Sequence, residues 1–194
     1  MRFLKFKKSV NTGKPKAPNK KMNNLAPGIE EFENDYLRCE ELIDYAEKES
    51  KWAKGTAGSA ADPKIRITDV HVLDGKTDLH QTLVRNYFSA ARTYIKEYSG
   101  CQVSDLEPLR VARYGVDGHY AVHTDARDGN RVLSSVLYLN DNFEGGELYF
   151  PRFDVTYKPK AGSLLLFPSN YPYEHGSKPV TQGKKYCVLA WYRP

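Results

Sequence analysis

The hydrophobic positions of this chain change their spacing near its middle. Between Glu30 and about Lys51 the apolar residues recur at roughly helical intervals, which predicts an amphipathic helix. The run Thr77–Tyr98 carries a similar apolar stripe and is followed by Gly100, a helix stop signal, so it predicts a second helix. Both helices lie in the N-terminal half of the chain.

After Pro108 the pattern becomes one of short β-type runs separated by Gly, Asn, Asp and Pro. The runs are LRVARY, HYAVHTD, VLSSVLYLN, ELYF, DVTYKP, SLLLF and KYCVLAWY. Such a density of strands favours a jelly roll made of two sheets. The predicted fold is therefore mainly β with flanking helices (α+β): a double-stranded β-helix core with the N-terminal helices packed on one face.

Charge and composition divide the chain unevenly. Residues 1–28 are rich in Lys, Asn and Pro without periodicity, which predicts a flexible basic tail. They hold eight of the 29 Lys and Arg residues and no acid, which leaves 21 basic against 24 acidic residues, a net charge of −3. The tail is the only place where nucleic acid is expected to bind, and a solubilising leader explains it equally simply. Residues 29–194 are predicted to form a single domain, with a helical lead-in at 29–106 and the β core at 107–194.

The cysteines and the apolar segments indicate a compartment. Cys39, Cys101 and Cys187 are far apart, odd in number and without a CxxC pair, which favours a reducing environment. The first residues carry positive charge but no apolar stretch of signal-peptide length. No segment reaches the roughly 20 apolar residues that a membrane span requires. The sequence thus predicts a cytoplasmic protein that does not enter a membrane.

One histidine stands out among the five. His123 is followed two residues later by Asp125, and alternate residues of a strand point to the same face. His175 comes fifty residues later, where a new strand would begin and could return beside the first. Two imidazoles and one carboxylate form the facial triad of non-haem iron(II) oxygenases. On the HTD triplet alone, an ordinary surface or core histidine is the better interpretation.

A lysine in the last strand adds a second signal. In KKYCVLAWY, Lys185 shares one mostly apolar face with Cys187, Leu189 and Trp191. A lysine on an inward face needs a partner for its charge, and the distal carboxylate of a bound 2-oxo diacid would serve. If the register were shifted, Lys185 would instead be a solvated lysine like Lys184.

The C-terminal half resembles a known family. The stretch RYGVDGHYAVHTDARDGNRVLSSVLYLNDNFEGGELYFP, followed by PKAGSLLLFPSNYPYEHGSKPVTQGKKYCVLAWY, is similar to the catalytic core of the prolyl 4-hydroxylases. The motifs YGxxGxYxxHxD, LYLN, EGGEL, FP, KAGxLLLF, a later His, and a Lys before the terminal Trp occur in family order. The resemblance covers about residues 107–194, whereas the helices and residues 52–75 are only loosely similar.

The resemblance implies a role for particular residues. His123, Asp125 and His175 would bind iron(II). Lys185 would form an ion pair with the C5 carboxylate of 2-oxoglutarate, and Tyr138 would add a hydrogen bond to it.

The resemblance also implies pocket and substrate residues. Tyr114 would line the metal and co-substrate pocket, and Tyr120 would be a further pocket-lining aromatic residue. Arg131 and Trp191 would lie near the substrate proline. Each of these positions has a simpler interpretation too, as a strand tyrosine, a turn residue or a core anchor.

The implied reaction is the hydroxylation of an unactivated C–H bond, most simply in a prolyl residue of a peptide or protein. Iron(II) is the metal, 2-oxoglutarate and O2 are co-substrates, succinate and CO2 are released, and ascorbate is the expected reductant. The same chemistry on a lysyl residue, a free amino acid or nucleic acid, a non-catalytic jelly-roll binding module, and a cupin-type metal isomerase are the alternatives.

Two loops have structural interpretations. Residues 52–75 could form a lid or substrate groove, or could be a connector. Asn140, Gly145 and Gly146 are assigned to a turn and a bulge around the EGGEL run.

Overall fold

The structure, a computed structural model, describes residues 21–33, 38–49, 51–56, 61–126 and 129–194, together with the backbone of residues 4–5. A large antiparallel sheet has helices packed on one face and a smaller sheet on the other. This arrangement confirms the predicted fold class, in which the helices cover one outer face of a two-sheet core.

The main sheet has ten strands, eight of them in the order β2-β3-β14-β10-β17-β8-β6-β4, with β7 beside β17 and β1 beside β7. Their bounds are β1 (Leu4–Lys5), β2 (Asn23–Ala26), β3 (Ile29–Phe32), β4 (Ala53–Lys54), β6 (Asp69–Val72), β7 (Asp105–Leu106), β8 (Arg110–Tyr114), β10 (Leu133–Tyr138), β14 (Leu164–Pro168) and β17 (Lys185–Arg193). The centre of this sheet therefore consists of strands from the predicted β half of the chain.

The smaller sheet has five strands in the order β13-β12-β15-β9-β5. They are β5 (Arg66–Ile67), β9 (His119–His123), β12 (Leu148–Phe150), β13 (Val155–Tyr157) and β15 (His175–Ser177). A separate pair joins β11 (Glu144–Gly145) to β16 (Val180–Gln182), with a register shift at Gly145. Gly145 and Gly146 both have positive φ, so the predicted bulge is confirmed.

The helices are α1 (Cys39–Glu49) and α2 (Asp78–Glu97). Thr77 caps α2, because its side-chain oxygen accepts a hydrogen bond from the backbone N–H of His80. Tyr87 fixes α2 to the sheet by donating to the carbonyl of Val188 (2.9 Å). Within the described parts of the chain, neither helix has the length and apolar character of a membrane span.

The central strands alternate strictly between two cores. In β14, Leu164 and Leu166 face the helices, whereas Leu165 and Phe167 face the smaller sheet. Strand β17 follows the same period of two, so its odd-numbered residues point between the two sheets. The space between the sheets is thereby lined on one side by Lys185 and its neighbours.

The first predicted helix begins later than its pattern indicated. Residues 29–32 form strand β3, α1 begins at Cys39, and residues 34–37 lie outside the described residues. The apolar spacing from Glu30 onward favoured a helix, but Glu30 and Glu31 are buried and bonded to distant tyrosine hydroxyls. Tyr98 donates to Glu30, and Tyr157 donates to Glu31 (2.6 Å). These long-range partners override the local pattern.

The predicted flexible tail is wrong for its last residues. Asn23–Ala26 form β2, which pairs with β3 in the main sheet. Backbone pairing at the sheet edge, together with a hydrogen bond from the Asn24 side chain to the Ala26 carbonyl, orders a segment that lacks hydrophobic periodicity. Residues 1–3 and 6–20 lie outside the described residues, and the division into a tail and one domain stays a prediction.

Candidate metal and co-substrate site

The three residues singled out as metal ligands meet between the sheets. Strands β9 and β15 are antiparallel, with His123 opposite His175. His123 Nε2 lies 3.5 Å from Asp125 Oδ1, and His175 Nε2 lies 3.5 Å from Asp125 Oδ2. One donor atom from each residue falls within 4.8 Å of the other two. The predicted return of the His175 segment beside the HTD strand is therefore confirmed.

Asp125 reaches this position from a loop. Strand β9 ends at His123, and the backbone N–H of Asp125 donates to the carbonyl of Ser169 (3.0 Å). Its carboxylate accepts a hydrogen bond from Ser134 Oγ (2.8 Å), which also bonds to Ser169 Oγ (2.8 Å). The side-by-side arrangement was predicted correctly, but strand alternation is the wrong reason for it.

Both imidazoles are held by backbone carbonyls behind them. His123 Nδ1 lies 2.8 Å from the carbonyl oxygen of Ala121, and His175 Nδ1 lies 3.1 Å from that of Tyr173. Because a carbonyl oxygen only accepts, Nδ1 of each ring carries the hydrogen. Each Nε2 therefore turns a lone pair toward Asp125, which is the orientation that metal-binding histidines adopt.

The electrostatics of the cluster suit a cation. Burial alone would raise the pKa of Asp125, but His175 and His123 outweigh that effect and hold the pKa of Asp125 well below its ordinary range. Burial lowers the pKa of His175 to about 4, against the attraction of Asp125. A neutral imidazole beside an ionised carboxylate is the protonation state in which these side chains bind metals.

The donor set fits iron(II). Two imidazole nitrogens and one carboxylate suit a non-haem iron that keeps open positions for other ligands. In the part of the chain that the structure describes, this is the one group of three or more His, Cys, Asp or Glu residues close enough to hold an ion. The residues present therefore fit the metal that the resemblance implies.

Lys185 lies inside the same pocket. It is 2% exposed, and its Nζ donates to the carbonyl of Gly146 (2.8 Å) and to Ser177 Oγ. The Nζ also lies 4.2 Å from the centroid of the Tyr114 ring. No salt bridge reaches it from the described residues, and burial lowers the pKa of Lys185 to about 8. The predicted inward face is confirmed, and among the described residues the ammonium group has no acid at salt-bridge distance.

Tyr114 and Tyr138 line the cavity near Lys185. Both are almost fully buried, and burial raises the pKa of each phenol above its ordinary value. The Tyr138 ring lies 5.7 Å from that of Tyr157. Both tyrosines are thus neutral hydrogen-bonding groups in an apolar wall.

Tyr120 faces the pocket because of an irregularity in β9. Its ring stacks on that of His123 with centroids 3.7 Å apart. In β15, His175 and Ser177 are two residues apart, whereas their partners His123 and Tyr120 are three apart, so a bulge lies between these partners. The bulge brings Tyr120 to the same face as His123, which regular alternation would forbid.

Arg131 and Trp191 form the wall beside Asp125. The Arg131 guanidinium lies 3.8 Å from the Trp191 ring centroid and donates to the Asp125 carbonyl (3.3 Å). Its charge is met by Glu107, which is 2% exposed and accepts bonds of 2.8 Å and 2.7 Å. Arg131 is therefore a buried structural cation as well as a pocket residue.

All of the sequence-predicted site residues line one cavity of about 340 Å³. They are His123, Asp125, His175, Lys185, Tyr114, Tyr138, Tyr120, Arg131 and Trp191. A cavity of this size accommodates a small organic acid together with part of a larger substrate. The described parts of segment 52–75 also line the cavity through β4, β5 and β6, while residues 57–60 lie outside the described residues.

Sequence reasoning missed several supporting residues. Ser134 has the same strand parity as the inward-facing Val136, and Ser177 has that of His175, so their polarity on an inward face was a usable signal. Glu107 and Arg66 gave none, because their contacts come from distant segments. Gly146 was assigned to a bulge but not to the binding of Lys185.

The chain was compared with protein families and with known proteins. Residues 109–193 match the family described as the 2OG-Fe(II) oxygenase superfamily. The "Putative prolyl 4-hydroxylase" of Acanthamoeba polyphaga mimivirus is 35% identical over 177 residues, which are 80% of this chain and 69% of that protein. The prolyl 4-hydroxylase subunit alpha-1 of Gallus gallus is 29% identical over 194 residues, covering 86% of this chain. The chain spans only 38% of the length of that animal subunit.

A solved structure supports the fold. A crystal structure of a Pseudomonas putida prolyl-4-hydroxylase superposes with a TM-score of 0.73 and 23% sequence identity. The match covers 86% of this chain and 93% of the other. At this level of identity the likeness concerns the fold.

Proposed function

The chain belongs to the prolyl 4-hydroxylase-like proteins of the 2OG-Fe(II) oxygenase superfamily, and on that premise we propose that it hydroxylates a prolyl residue in a peptide or protein. The observation that carries the proposal is that the histidine–aspartate–histidine cluster and the buried lysine share one cavity. A buried ammonium group with only neutral acceptors among the described residues is costly in a non-catalytic module, whereas a 2-oxo diacid bound at the triad would offset that cost.

We assign the metal to His123, Asp125 and His175. When bound, iron(II) and 2-oxoglutarate supply the oxidation of a C–H bond by O2, with release of succinate and CO2. The carbonyls of Ala121 and Tyr173 hold the imidazoles in one tautomer, and Ser134 holds the carboxylate. The protein therefore contributes an orientation that is fixed before any ligand binds.

We assign the distal carboxylate of 2-oxoglutarate to Lys185. Its Nζ has neutral acceptors in Gly146 and Ser177, which hold the group in place without neutralising it. A carboxylate would complete a charge-assisted bond, and Tyr138 would add a neutral hydrogen bond. Tyr114 excludes water from the Lys185 ammonium on one side, because the ammonium lies over its ring.

We assign the substrate end of the cavity to Tyr120, Arg131 and Trp191. The Tyr120 ring covers one face of the His123 imidazole, and Trp191 is held by the guanidinium of Arg131. Flat aromatic surfaces suit the apolar ring of proline. The use of ascorbate as a reductant, a cytoplasmic location and the preference for proline stay predictions of this proposal.

The experiment is to measure succinate from 2-oxoglutarate with iron(II) and ascorbate, with and without proline-rich peptides, and to detect the hydroxylated peptide by mass spectrometry. Turnover stimulated by a peptide, lost in His123→Ala and strongly reduced in Lys185→Ala, is expected. His119→Ala and Lys184→Ala are the matched controls, since neither residue lines the cavity. Peptide-independent turnover without any hydroxylated proline would overturn the prolyl substrate.

A further inference from the structure

Arg66 is a cation of the cavity that has no acidic partner among the described residues. Lys54 pairs with Asp69 (2.8 Å), and Arg131 and Arg110 pair with Glu107 (2.7 Å and 3.8 Å). Arg66 also lines the cavity, yet within the described residues no salt bridge involves it. The charge of Lys185 would be met by the co-substrate. Among the other cations that line the cavity, Arg66 is the one without a counter-charge from the described residues.

The position of the Arg66 guanidinium is well defined. It lies 4.5 Å from the centroid of the Tyr120 ring, and Nη1 donates to the Thr56 carbonyl (3.1 Å). Its Nε is buried and has no hydrogen-bond partner. A Cβ added at Gly55 would lie 2.7 Å from that Nε, so this glycine makes room for the guanidinium. A neutral carbonyl and an aromatic face hold the group, but neither offsets its charge.

Arg66 and Lys185 enter the pocket from different strands, β5 and β17. Arg66 of β5 is opposite Tyr120 of β9, and Tyr120 is opposite Ser177 of β15, whose hydroxyl accepts from Lys185. Adjacent strands are spaced by about 4.8 Å, so Arg66 and Ser177 are about 10 Å apart along this row. A small diacid bound between the metal and Lys185 would have partners for both of its carboxylates, which leaves Arg66 to another ligand.

We propose that Arg66 is a specificity-determining residue that binds a carboxylate of the peptide substrate, from an Asp or Glu side chain near the target proline or from the peptide C-terminus. This inference rests on the proposed function. A guanidinium presents paired N–H donors that match a carboxylate, and in a partly buried site such bonds are stronger than in water. With iron(II), Asp125, 2-oxoglutarate and Lys185 together neutral, Arg66 leaves the substrate end of the cavity positive.

The test measures peptide binding and hydroxylation separately. Labelled proline peptides with amidated C-termini carry Asp, or Asn as the control, at each position around the proline, and a second set has free C-termini. Their dissociation constants are measured by fluorescence anisotropy with 2-oxoglutarate and Mn(II), which does not support turnover. Hydroxylation of the same peptides is then measured with iron(II).

The wild type is expected to bind an Asp peptide about tenfold more tightly than its Asn counterpart at one or two positions, and Arg66→Gln is expected to lose that preference. Preference only for a free C-terminus would identify the terminus as the source. Arg66→Glu should favour Lys over Asp at the same position, and Lys64→Gln, an exposed neighbour with the same charge change, should behave as wild type.

Wild-type protein that does not distinguish Asp, Asn or the free C-terminus at any position would overturn the inference, whether or not the variants fold. Equal loss of binding for acidic and neutral peptides in Arg66→Gln would overturn it too. Hydroxylation of proline without a preference for a carboxylate would support the proposed function and contradict the role of Arg66. Arg66-dependent binding of acidic peptides without hydroxylation supports Arg66 and contradicts prolyl hydroxylation.

Discussion

The two faces of strand β17 have different roles. The face toward the helices consists of Tyr186, Val188, Ala190 and Tyr192, and the face toward the smaller sheet consists of Lys185, Cys187, Leu189 and Trp191. Both faces are largely buried. They differ in whether their polar groups are satisfied by the protein itself.

On the helix side the polar atoms have protein partners. Tyr192 donates to the Tyr87 carbonyl (2.9 Å), and Tyr186 donates to Glu47 (2.7 Å). On the pocket side Lys185 has two neutral acceptors and no acid among the described residues. One strand thus stabilises the fold on one face and keeps an unmatched charge for a ligand on the other, which is where functional sites depart from the rules of stable packing.

The largest expected effect on activity is the loss of a triad residue. His175→Ala removes a metal ligand, and because a bound metal contributes several kcal/mol to catalysis, succinate formation should fall by about a thousandfold or more. Iron content after dialysis, measured by mass spectrometry, should fall with it. His119→Ala is the control. A His175→Ala protein that keeps its iron and its turnover would show that His175 is not an iron ligand.

Lys185→Met should affect ligand binding and stability in opposite directions. Loss of a charge-assisted bond should raise the dissociation constant of 2-oxoglutarate by about 10- to 100-fold. Without ligand the same variant should be as stable as the wild type or more stable, since a buried charge without a counter-charge is removed. Titration calorimetry and urea unfolding measure the two effects, and Lys184→Met serves as the control.

The buried Lys185 should make the stability of the protein depend on pH. The pKa of Lys185 is lowered by burial from 10.5 to about 8. Below about pH 8 the folded protein bears the full penalty of the buried charge, and between about 8 and 10.5 the unfolded chain binds more protons, so stability rises with pH. The free energy of unfolding should increase across this window by at most about 3 kcal/mol more in wild type than in Lys185→Met. Equal slopes would contradict the buried position of the ammonium.

Ser134→Ala should have an intermediate effect. It removes the hydrogen bond from Ser134 Oγ to Asp125 Oδ2 (2.8 Å) and leaves the ligand itself in place. Loss of such a supporting bond typically weakens metal affinity or activity by about 10- to 100-fold. Iron(II) titration of activity measures the change, and Ser163→Ala, another buried serine, is the control. Unchanged iron affinity would show that Asp125 needs no support from Ser134.

Leu83→Ala should have the smallest effect on activity and a large effect on stability. Leu83 of α2 is fully buried in the helix-side core, so its truncation should lower the free energy of unfolding by about 2–5 kcal/mol. The kcat/KM of the folded protein should change less than about twofold, because Leu83 belongs to the helix-side core and does not line the cavity. Urea unfolding measures the loss of stability, with Gln81→Ala as the control. A proportional loss of kcat/KM would show that the helix-side core and the pocket are coupled.

The sequence predicted what short-range patterns encode. Period-two alternation located the inward face of β17, and the HTD triplet together with the later His175 identified residues that meet in space. The β17 prediction succeeded because strand parity is a local property.

The failures depended on distant contacts. The residues of β3 were assigned to a helix from their apolar spacing, whereas the hydroxyls of Tyr98 and Tyr157 bind the two acids of this strand from elsewhere in the chain. Asp125 lies past the end of its strand, and a bulge turns Tyr120 inward. The partners of Glu107 and the isolation of Arg66 are tertiary properties that no spacing reveals.

The triad and Lys185 are expected to hold one metal and one 2-oxoglutarate together in a single cavity. The most direct test is titration calorimetry of 2-oxoglutarate without oxygen, with and without iron(II), in wild type, His123→Ala, Lys185→Met and the double variant. Metal should tighten wild-type binding at least about tenfold, His123→Ala should lose that gain, and Lys185→Met should weaken binding in both conditions. If 2-oxoglutarate binds equally with and without iron(II), or equally well in Lys185→Met, then the metal-binding triad and Lys185 do not share this ligand. Either result would contradict the proposed site.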